Sequence, residues 1–490
     1  MNNFSVKKWW GENAAELTKS PENVLSDYET WINQAIVVSA IRSPEFNTTD
    51  KLIELWEYLK SNKIEISVIS EKIEEIKNFH FNIIDEKLSW DNNDIKEKVW
   101  EKFSEFMWII VTWIWALHKD KPQKSNDYKI DFGNGSISVL WFWEELSAFI
   151  NSEVINKLWV DWLKSEVVDL QWVVNSSNEW LKDNELFISL SEEIKLRVFS
   201  VIVDSKIPVI PWYIPGFKEG IEKSVGRWYT DATASMTAFW LSQAYNVTLE
   251  IQKSVIWMLS ADPRIVKEGT KIIEQIDYMT AKEITGIRGA QAKLLHSQVL
   301  RKELQEAGID VRLFDPFSDN KWTLISKSKN KLSDWVEYIW WRENIIFFSV
   351  SCSDMSSEWI LSWVFLIVKE YASVDIISTS ETEISFTIDW WVSTKKLDEM
   401  SERIKKRLNI ADNWSDDFVK YERNKALVFC VWQNLYHSKW SLGRAAMALT
   451  KWNINIEMVS QWTMERAMVF WIDNKKMKNA INLLHSEFIN

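Results

Sequence analysis

The sequence predicts an α/β protein, a mostly parallel central sheet with helices on both faces, followed by two smaller C-terminal α+β units. Three observations carry this. Short β-branched runs alternate with amphipathic stretches through the first two thirds, a helix-periodic block fills Thr49 to Leu117, and a strand, helix, strand, strand, helix order occurs twice after Pro316.

In chain order, Ala35-Ile36-Val37-Val38, Val198 to Val203 and Val247 to Ile251 read as strands, because short apolar runs bounded by turn residues fit strands covered on both faces. Between the first two, Thr49 to Leu117 is charged and periodic and reads as several helices, an elaboration rather than a linker. Lys253 to Arg264 reads as a strand running into a loop. The first C-terminal unit comprises Ile345 to Val350, Ile360 to Tyr371, Val374 to Thr379, Glu383 to Ile388 and Lys395 to Leu408. The second comprises Ala426 to Val431, Leu442 to Thr450, Ile454 to Val459, Ala467 to Ile472 and Met477 to Phe488. Trp359 and Trp440 open corresponding helices, so an internal duplication is the economical explanation. The division expected is 1–328 for the large domain, 343–410 for the first small unit, and 335–340 with 423–490 for the second.

At 490 residues, 46% hydrophobic and 26% charged, the chain has room for two to four domains and a large core. A net charge of -12 argues against a general nucleic-acid binder. Cys352 and Cys430 lie in β-like apolar runs and read as buried reduced thiols, and the five scattered histidines suggest no zinc cluster. No signal stretch is evident, and the most apolar window, Phe106 to Leu117, is too short to cross a bilayer. A cytoplasmic protein is expected.

The composition has one anomaly: 33 tryptophans stand against 11 glycines, where average usage gives about 34 glycines. The tryptophans occupy glycine contexts, doubled at Trp9-Trp10, Trp340-Trp341 and Trp390-Trp391 and set among turn formers at Gly226-Arg227-Trp228 and Asn413-Trp414-Ser415. We read many of these codons as UGA decoded as glycine. The alternative is a Trp-rich surface of the kind that binds carbohydrate.

Three segments combine turn residues with charge. Lys7-Lys8-Trp9-Trp10-Gly11 ends the first strand and, read with glycines, is a loop whose N–H groups can wrap phosphate oxygens. Gly226-Arg227-Trp228-Tyr229-Thr230-Asp231 precedes a helical stretch, so Thr230 or Asp231 can cap it while Arg227 grips a carboxylate; a plain capped turn with a solvated arginine fits equally well. Ser260-Ala261-Asp262-Pro263-Arg264 closes a segment whose charges could hold a nucleotide.

Together these segments resemble aspartate kinase, of the amino-acid kinase superfamily, over nearly the whole chain. Lys8-Trp9-Trp10-Gly11-Glu12-Asn13 is similar to the family's Lys-Phe-Gly-Gly-Thr-Ser, with Glu-Asn in place of Thr-Ser. Ser39-Ala40, Thr49-Asp50 and Phe142-Trp143-Glu144-Glu145-Leu146-Ser147-Ala148 match further elements. The most specific is Gly226 to Ala234, the Gly-Arg-Gly-Tyr-Thr-Asp-x-Thr-Ala signature with Trp228 in place of glycine. Pro211 replaces a common threonine, and Arg288-Gly289-Ala290-Gln291 before Lys293 fits only with a shift. The paired C-terminal units resemble ferredoxin-like ACT domains, in which Met464-Glu465-Arg466 departs from the usual small polar run.

The resemblance implies the amino-acid kinase fold and a transfer of the γ-phosphoryl group of MgATP to the β-carboxylate of L-aspartate, at the head of lysine, threonine and methionine biosynthesis. It implies Lys8 and Asp231 as catalytic residues. Thr49, Glu144, Arg227 and Thr230 would bind aspartate. Lys8, Trp10, Gly11, Lys253, Ser254, Leu259, Arg264 and Lys293 would bind ATP, with Mg2+. Ser357, Ile360, Leu361, Asp375 and Ser380 would bind a lysine or threonine effector. It further implies a homodimer or higher homo-oligomer formed through the first ACT units, no fused homoserine dehydrogenase, and neither nucleic acid nor membrane as partner. Two other readings are a related enzyme of the superfamily acting on a different acceptor, and an inactive amino-acid sensor.

Overall fold

The computed structural model describes residues 3–489 except 10–32, 40, 42–45, 60–64, 88–91, 120–128, 132–135, 158–163, 171–172, 175–176, 178–180, 182, 212–213, 215–228, 253–257, 287–294, 296, 315–321, 328–335, 352–358, 409–417 and 462–465. The chain forms two compact units. One contains Met1–Trp257, Glu274–Tyr278 and Leu294–Ser328; the other contains Met258–Ile273, Met279–Lys293 and Lys329–Asn490.

In chain order the elements up to residue 326 are β1 (Asn3–Trp9), β2 (Asn33–Val38), α1 (Thr48–Leu59), α2 (Ile66–Lys87), α3 (Asn93–Lys119), the ribbon β3 (Lys129–Asp131) and β4 (Ser136–Ser138), α4 (Val139–Asn156), β5 (Ser165–Val167) and α5 (Asp183–Val203). They continue with β6 (Ile207–Pro211), α6 (Tyr229–Leu241), β7 (Asn246–Gln252), β8 (Gln275–Asp277), α7 (Tyr278–Gly286), α8 (Lys302–Glu306), β9 (Asp310–Phe314) and β10 (Trp322–Ser326). Eight strands form one sheet in the order β5-β6-β2-β1-β7-β9-β10-β8. All its pairs are parallel except β9 with β10.

Strand β1 sits near the middle and is buried along its length after Asn3, as a strand covered on both faces must be. Its alternating side chains show what covers each face. Trp9 packs with Ile36, Val38 and Val209 of the sheet and Ala148 and Ile155 of α4. On the opposite face Phe4 meets Tyr245 at 5.0 Å, just beyond α6, and Lys8 meets Asp231 of α6 itself. Helix α6 is built from small residues, with Ala232, Ala234, Ala238, Thr233, Ser235 and Thr237 all buried. The hydroxyls of Ser235 and Thr237 donate to the carbonyls of Asp231 and Thr233 one turn back, at 2.7 and 2.9 Å, so these two hydroxyls are met when the helix seats on the sheet.

One expected strand is a helix. Val198 to Val203 forms the last turns of α5, whose Leu186, Phe187, Leu190, Ile194, Val198 and Val201 recur at three- and four-residue intervals and are buried. The β-branched cluster was outweighed by the longer 3.6-residue period, and the strand follows at Ile207–Pro211.

The second unit carries β11 (Tyr338–Ser351), α9 (Ile360–Val368), β12 (Val374–Thr379), β13 (Glu383–Ile388), α10 (Thr394–Arg407), β14 (Val419–Val431), α11 (Ser441–Thr450), β15 (Met458–Ser460), β16 (Ala467–Asp473) and α12 (Met477–Phe488). The repeat read from the sequence is thus present. Its six strands form one antiparallel sheet, β12-β13-β11-β14-β16-β15, because β11 and β14 run through both halves and pair from Tyr338↔Val431 to Val350↔Val419. The ladder is interrupted between Arg342 and Phe347, beside Asn344 and Asn424, which both take positive φ (57° and 61°). Phe348 and Phe386 stack at 5.0 Å in the core of the first half, under Val364, Leu397 and Ile404.

The compact units depart from the 1–328 division at two places. Residues 258–273 fold back on themselves, Ser260 N–H to Lys271 O at 2.8 Å, and join the second unit through Ile339 N–H to Ser260 O at 2.7 Å. Ser260 Oγ accepts from the Lys271 N–H at 2.9 Å and lies 2.9 Å from His485 Nε2 of α12. Burial, with Lys271 nearby, holds the His485 ring below its usual pKa.

The tryptophans divide into two kinds. Trp432 is fully buried and its indole N–H donates to Ser438 Oγ at 2.8 Å. Trp340 and Trp471 are equally buried, but their indole nitrogens have no hydrogen-bond partner. Trp440, the residue before α11, has φ 66° and ψ 0° and is 83% exposed. That left-handed conformation costs a residue with a Cβ about 1 kcal/mol. Replacing Trp440 with glycine is therefore expected to stabilise the protein by about 1 kcal/mol, whereas Trp432→Gly should cost about 3–5 kcal/mol; urea unfolding of both variants checks the contrast.

A second expectation concerns acid. His80 of α2 is buried beside Phe79 and Phe103, its Nδ1 lies 2.8 Å from Ile76 O, and burial pushes its pKa down to about 4. The unfolded ring takes up a proton near pH 6.5 and the folded one does not, so stability is complete above that pH and falls as the pH drops toward 4, by roughly 3 kcal/mol. His80→Gln should lose distinctly less urea resistance than the parent between pH 7 and pH 4.5.

Candidate active site

Strand order reverses at β1. The chain runs outward from β1 to β2 on one side, and returns as β7 on the other. In open α/β sheets such a reversal leaves a crevice at the carboxyl ends of the two strands, where ligands bind. Lys8 lies at the carboxyl end of β1, opposite Val37 of β2 and Ile251 of β7.

Lys8 and Asp231 form an ion pair, Nζ to Oδ1 at 2.7 Å, with both side chains 1% exposed. Asp231 belongs to the first turn of α6, where the helix's unpaired N–H groups favour negative charge. Its neighbour Thr230 is also buried. On the other face of the sheet, Glu144 of α4 is buried, three residues before Ser147, whose Oγ donates to Ser39 O at 2.6 Å. That bond ties the residue following β2 to the helix bearing Glu144. Thr49 lies in the first turn of α1, after Thr48, whose hydroxyl donates to Ile41 O at 2.7 Å.

Along β1, Lys7 is opposite Glu250 of β7, which is opposite Arg312 of β9. Their charged ends stand 3.8 and 3.3 Å apart, so a row of alternating charge crosses the middle of the sheet. The sequence reading passed over this row, although isolated charges inside apolar strands were its visible trace.

The other expected site residues fall into three groups. Trp10, Gly11, Arg227, Lys253, Ser254, Lys293 and Ser357 lie outside the described residues, as do Glu12, Asn13 and Cys352. Leu259 and Arg264 lie in the 258–273 segment of the second unit. There Asp262 accepts from Arg264 Nε at 3.0 Å and from the Arg264 backbone N–H at 2.7 Å. Burial alone would raise the Asp262 carboxyl, but the guanidinium outweighs it and holds the pKa below the usual range. The third group belongs to the repeat. Ile360 is buried at the start of α9, Leu361 beside it is exposed, Asp375 is in β12, and Ser380 follows β12, where its Oγ accepts from the Glu383 N–H at 3.0 Å.

Among the described residues no group of three or more His, Cys, Asp or Glu could hold a metal ion, and no helix is long and apolar enough to cross a membrane. Cys430 is buried and burial pushes its thiol pKa up, which keeps it protonated.

Residues 442–488 match the model of an ACT domain family. The chain is 23% identical to aspartokinase 1 of Arabidopsis thaliana over 384 residues, covering 76% of this chain and 62% of that protein's length. It is 21% identical to Arabidopsis aspartokinase 2 over 494 residues, covering 99% and 84%. Among solved structures, the aspartate kinase of Clostridium acetobutylicum superposes with a TM-score of 0.71 at 20% identity, covering 99% of this chain and 100% of that one. E. coli aspartokinase III in complex with aspartate and ADP gives 0.66, also at 20% identity, with 99% of both chains covered. In fold the chain is like the aspartate kinases over its full length, and in sequence it is similar to aspartokinases over most of it.

Proposed function

We propose that the chain is an ATP-dependent aspartate kinase, which transfers the γ-phosphoryl group of MgATP to the β-carboxylate of L-aspartate and yields 4-phospho-L-aspartate. The observation that carries the reading is the buried Lys8–Asp231 pair at the strand-order reversal, with Asp231 in the Gly226 to Ala234 signature.

The substrate carboxylate, with an ordinary pKa near 3.9, is already ionised at neutral pH, so its attack on phosphorus requires no general base. What the protein must supply is alignment and positive charge at the transferring group. Lys8 provides that charge from a water-excluded position, where an ammonium acts more strongly on a phosphoryl oxygen than in solvent. Asp231 keeps the Lys8 ammonium charged and directed; as a proton acceptor it would have nothing to accept. Arg227 takes the substrate α-carboxylate, Glu144 its ammonium, and Thr49 and Thr230 the remaining polar contacts. The nucleotide is held by the Trp10-Gly11 loop, Lys253, Ser254, Leu259, Arg264 and Lys293. A Mg2+ ion would be held by the nucleotide's phosphates rather than by a protein cage, and would supply further positive charge at the transferring group.

In the same reading the repeat is a regulatory module that binds lysine or threonine at Ser357, Ile360, Leu361, Asp375 and Ser380, and it pairs with a second copy through its first half. Trp10, Trp143, Trp228 and Trp257 stand where the resemblance expects glycine, and glycine at Trp10 would open the phosphate loop to its ligand.

The decisive test pairs the chain as written with one carrying glycine at all 33 tryptophan positions, each assayed for aspartate-dependent ATP consumption and for trapping of the acyl phosphate by hydroxylamine. Activity only in the glycine form supports both the kinase reading and the reading of these tryptophans as glycine. Two folded proteins that bind lysine or threonine without turning over ATP would make the chain a sensor, and phosphorylation of another acceptor alone would overturn the substrate. In the active form, Lys8→Met should lower kcat by roughly 10²–10³ with a much smaller change in the aspartate KM. Asp231→Ala, which strands a buried ammonium, should also cost about 3–5 kcal/mol of stability in urea unfolding.

A further inference from the structure

The segment 258–273 closes on itself as a hairpin and is then fastened to α12. The Ile273 N–H donates to Met258 O and the Ser260 N–H to Lys271 O, both at 2.8 Å, with Leu259 opposite Ile272. Every polar group of Ser260 is used. Its N–H serves the hairpin, its carbonyl accepts from the Ile339 N–H at 2.7 Å, and its hydroxyl meets both the Lys271 N–H and His485 Nε2 at 2.9 Å. Lys271 Nζ also bonds the carbonyl of Ile489, one turn beyond His485. Ser260 and His485 are each 1% exposed, and α12 is a firm support, with Met477, Ala480, Ile481 and Leu484 buried beside His485.

Leu259 directly precedes Ser260, and Arg264 follows four residues on. Asp262 accepts the Arg264 backbone N–H and takes the Nε and Nη2 of its side chain, while Pro263 between them fixes φ. The direction of the arginine therefore follows from the placement of Asp262, two residues from Ser260. Asp262 is 5% exposed and its charge joins burial in raising the phenol of Tyr338 at the start of β11, whereas the Arg264 side chain is 65% exposed, with its Nη1 end left for a ligand. The buried end of the segment is thus held by α12 and β11, and its outer end carries the group that could meet a phosphate.

We infer that His485 is a positioning residue for the nucleotide: through Ser260 it holds the Leu259 to Arg264 segment in the conformation that receives ATP. The inference rests on the reading of Leu259 and Arg264 as nucleotide contacts. A segment ordered before its ligand arrives spares the binding step the entropy of ordering it, so the effect falls on nucleotide affinity and not on the chemical step.

Equilibrium dialysis of the full chain in its glycine form against ADP, beside the aspartate assay, tests it. His485→Ala should weaken ADP binding by about three- to tenfold, as one lost hydrogen bond does, and raise the KM for ATP in parallel, with kcat and the aspartate KM within about twofold of the parent. His485→Gln, whose amide reaches to where Nε2 stands, should restore most of the affinity. His485→Asn, whose amide reaches only as far as Nδ1, should not. Ser260→Ala should match His485→Ala, and the double variant should bind no more weakly than the weaker single one, because both remove the same bond. A histidine that only stabilised the fold would lower the urea midpoint and leave the ADP affinity of the folded protein unchanged. ADP affinity within about twofold of the parent in both His485→Ala and Ser260→Ala, or a Gln variant as weak as Ala, would overturn the inference. A parent that binds ADP with this pattern of variants and phosphorylates no aspartate would overturn the kinase reading and leave the inference standing; a parent that binds no adenine nucleotide would overturn both.

Discussion

The described middle of the first unit's sheet is arranged around the problem of holding the Lys8 ammonium out of water. An ammonium taken out of water loses several kcal/mol of hydration, and it stays charged only if a carboxylate is held against it with little freedom to leave. Lys8 meets that condition because β1 is a central strand and α6 is made of small residues that let it settle onto the sheet with Asp231 in its first turn. The helix end adds its own field in favour of the carboxylate. Strand order, helix composition and helix register therefore converge on one pair of atoms 2.7 Å apart.

Much of this was legible in the sequence because it rested on period and punctuation. Val374–Thr379, Glu383–Ile388 and Met477–Phe488 begin and end where their apolar patterns and turn residues say they should. The Lys8 and Asp231 segments stood out because each joins charge to a turn or helix start. Val198 to Val203 was misread because a local β-branched cluster looks the same at the end of a helix as in a strand, and only the longer window separates them. Two other features were beyond the sequence for a different reason. The pairing of Ser260 with His485 spans 225 positions, and the Lys7, Glu250 and Arg312 row exists only once β1, β7 and β9 are neighbours. Neither has a local signature.

The tryptophans show how composition and conformation can be weighed together. A count alone says that the usage is unusual. Trp440 in a left-handed conformation, and the buried unmet indole nitrogens of Trp340 and Trp471, say that particular side chains sit where the backbone or the core does not call for them. Trp432, with its N–H bonded, is the contrary case. Position by position, the physical chemistry discriminates where the tally cannot.

The strands β11 and β14 each pass from one half of the repeat into the other, extended on either side of the left-handed Asn344 and Asn424. An extended backbone is nearly inextensible, at about 3.3 Å per residue, so it behaves as a stiff rod rather than a tether. A push along β11 at Val350 can be absorbed only by bending where the ladder is interrupted, beside Asn344 and Asn424, or else it arrives at Ile339, the residue bonded to Ser260. The duplicated halves are thus not two independent springs. They share their beams, and the joint between them sets how much strain each hands to the other.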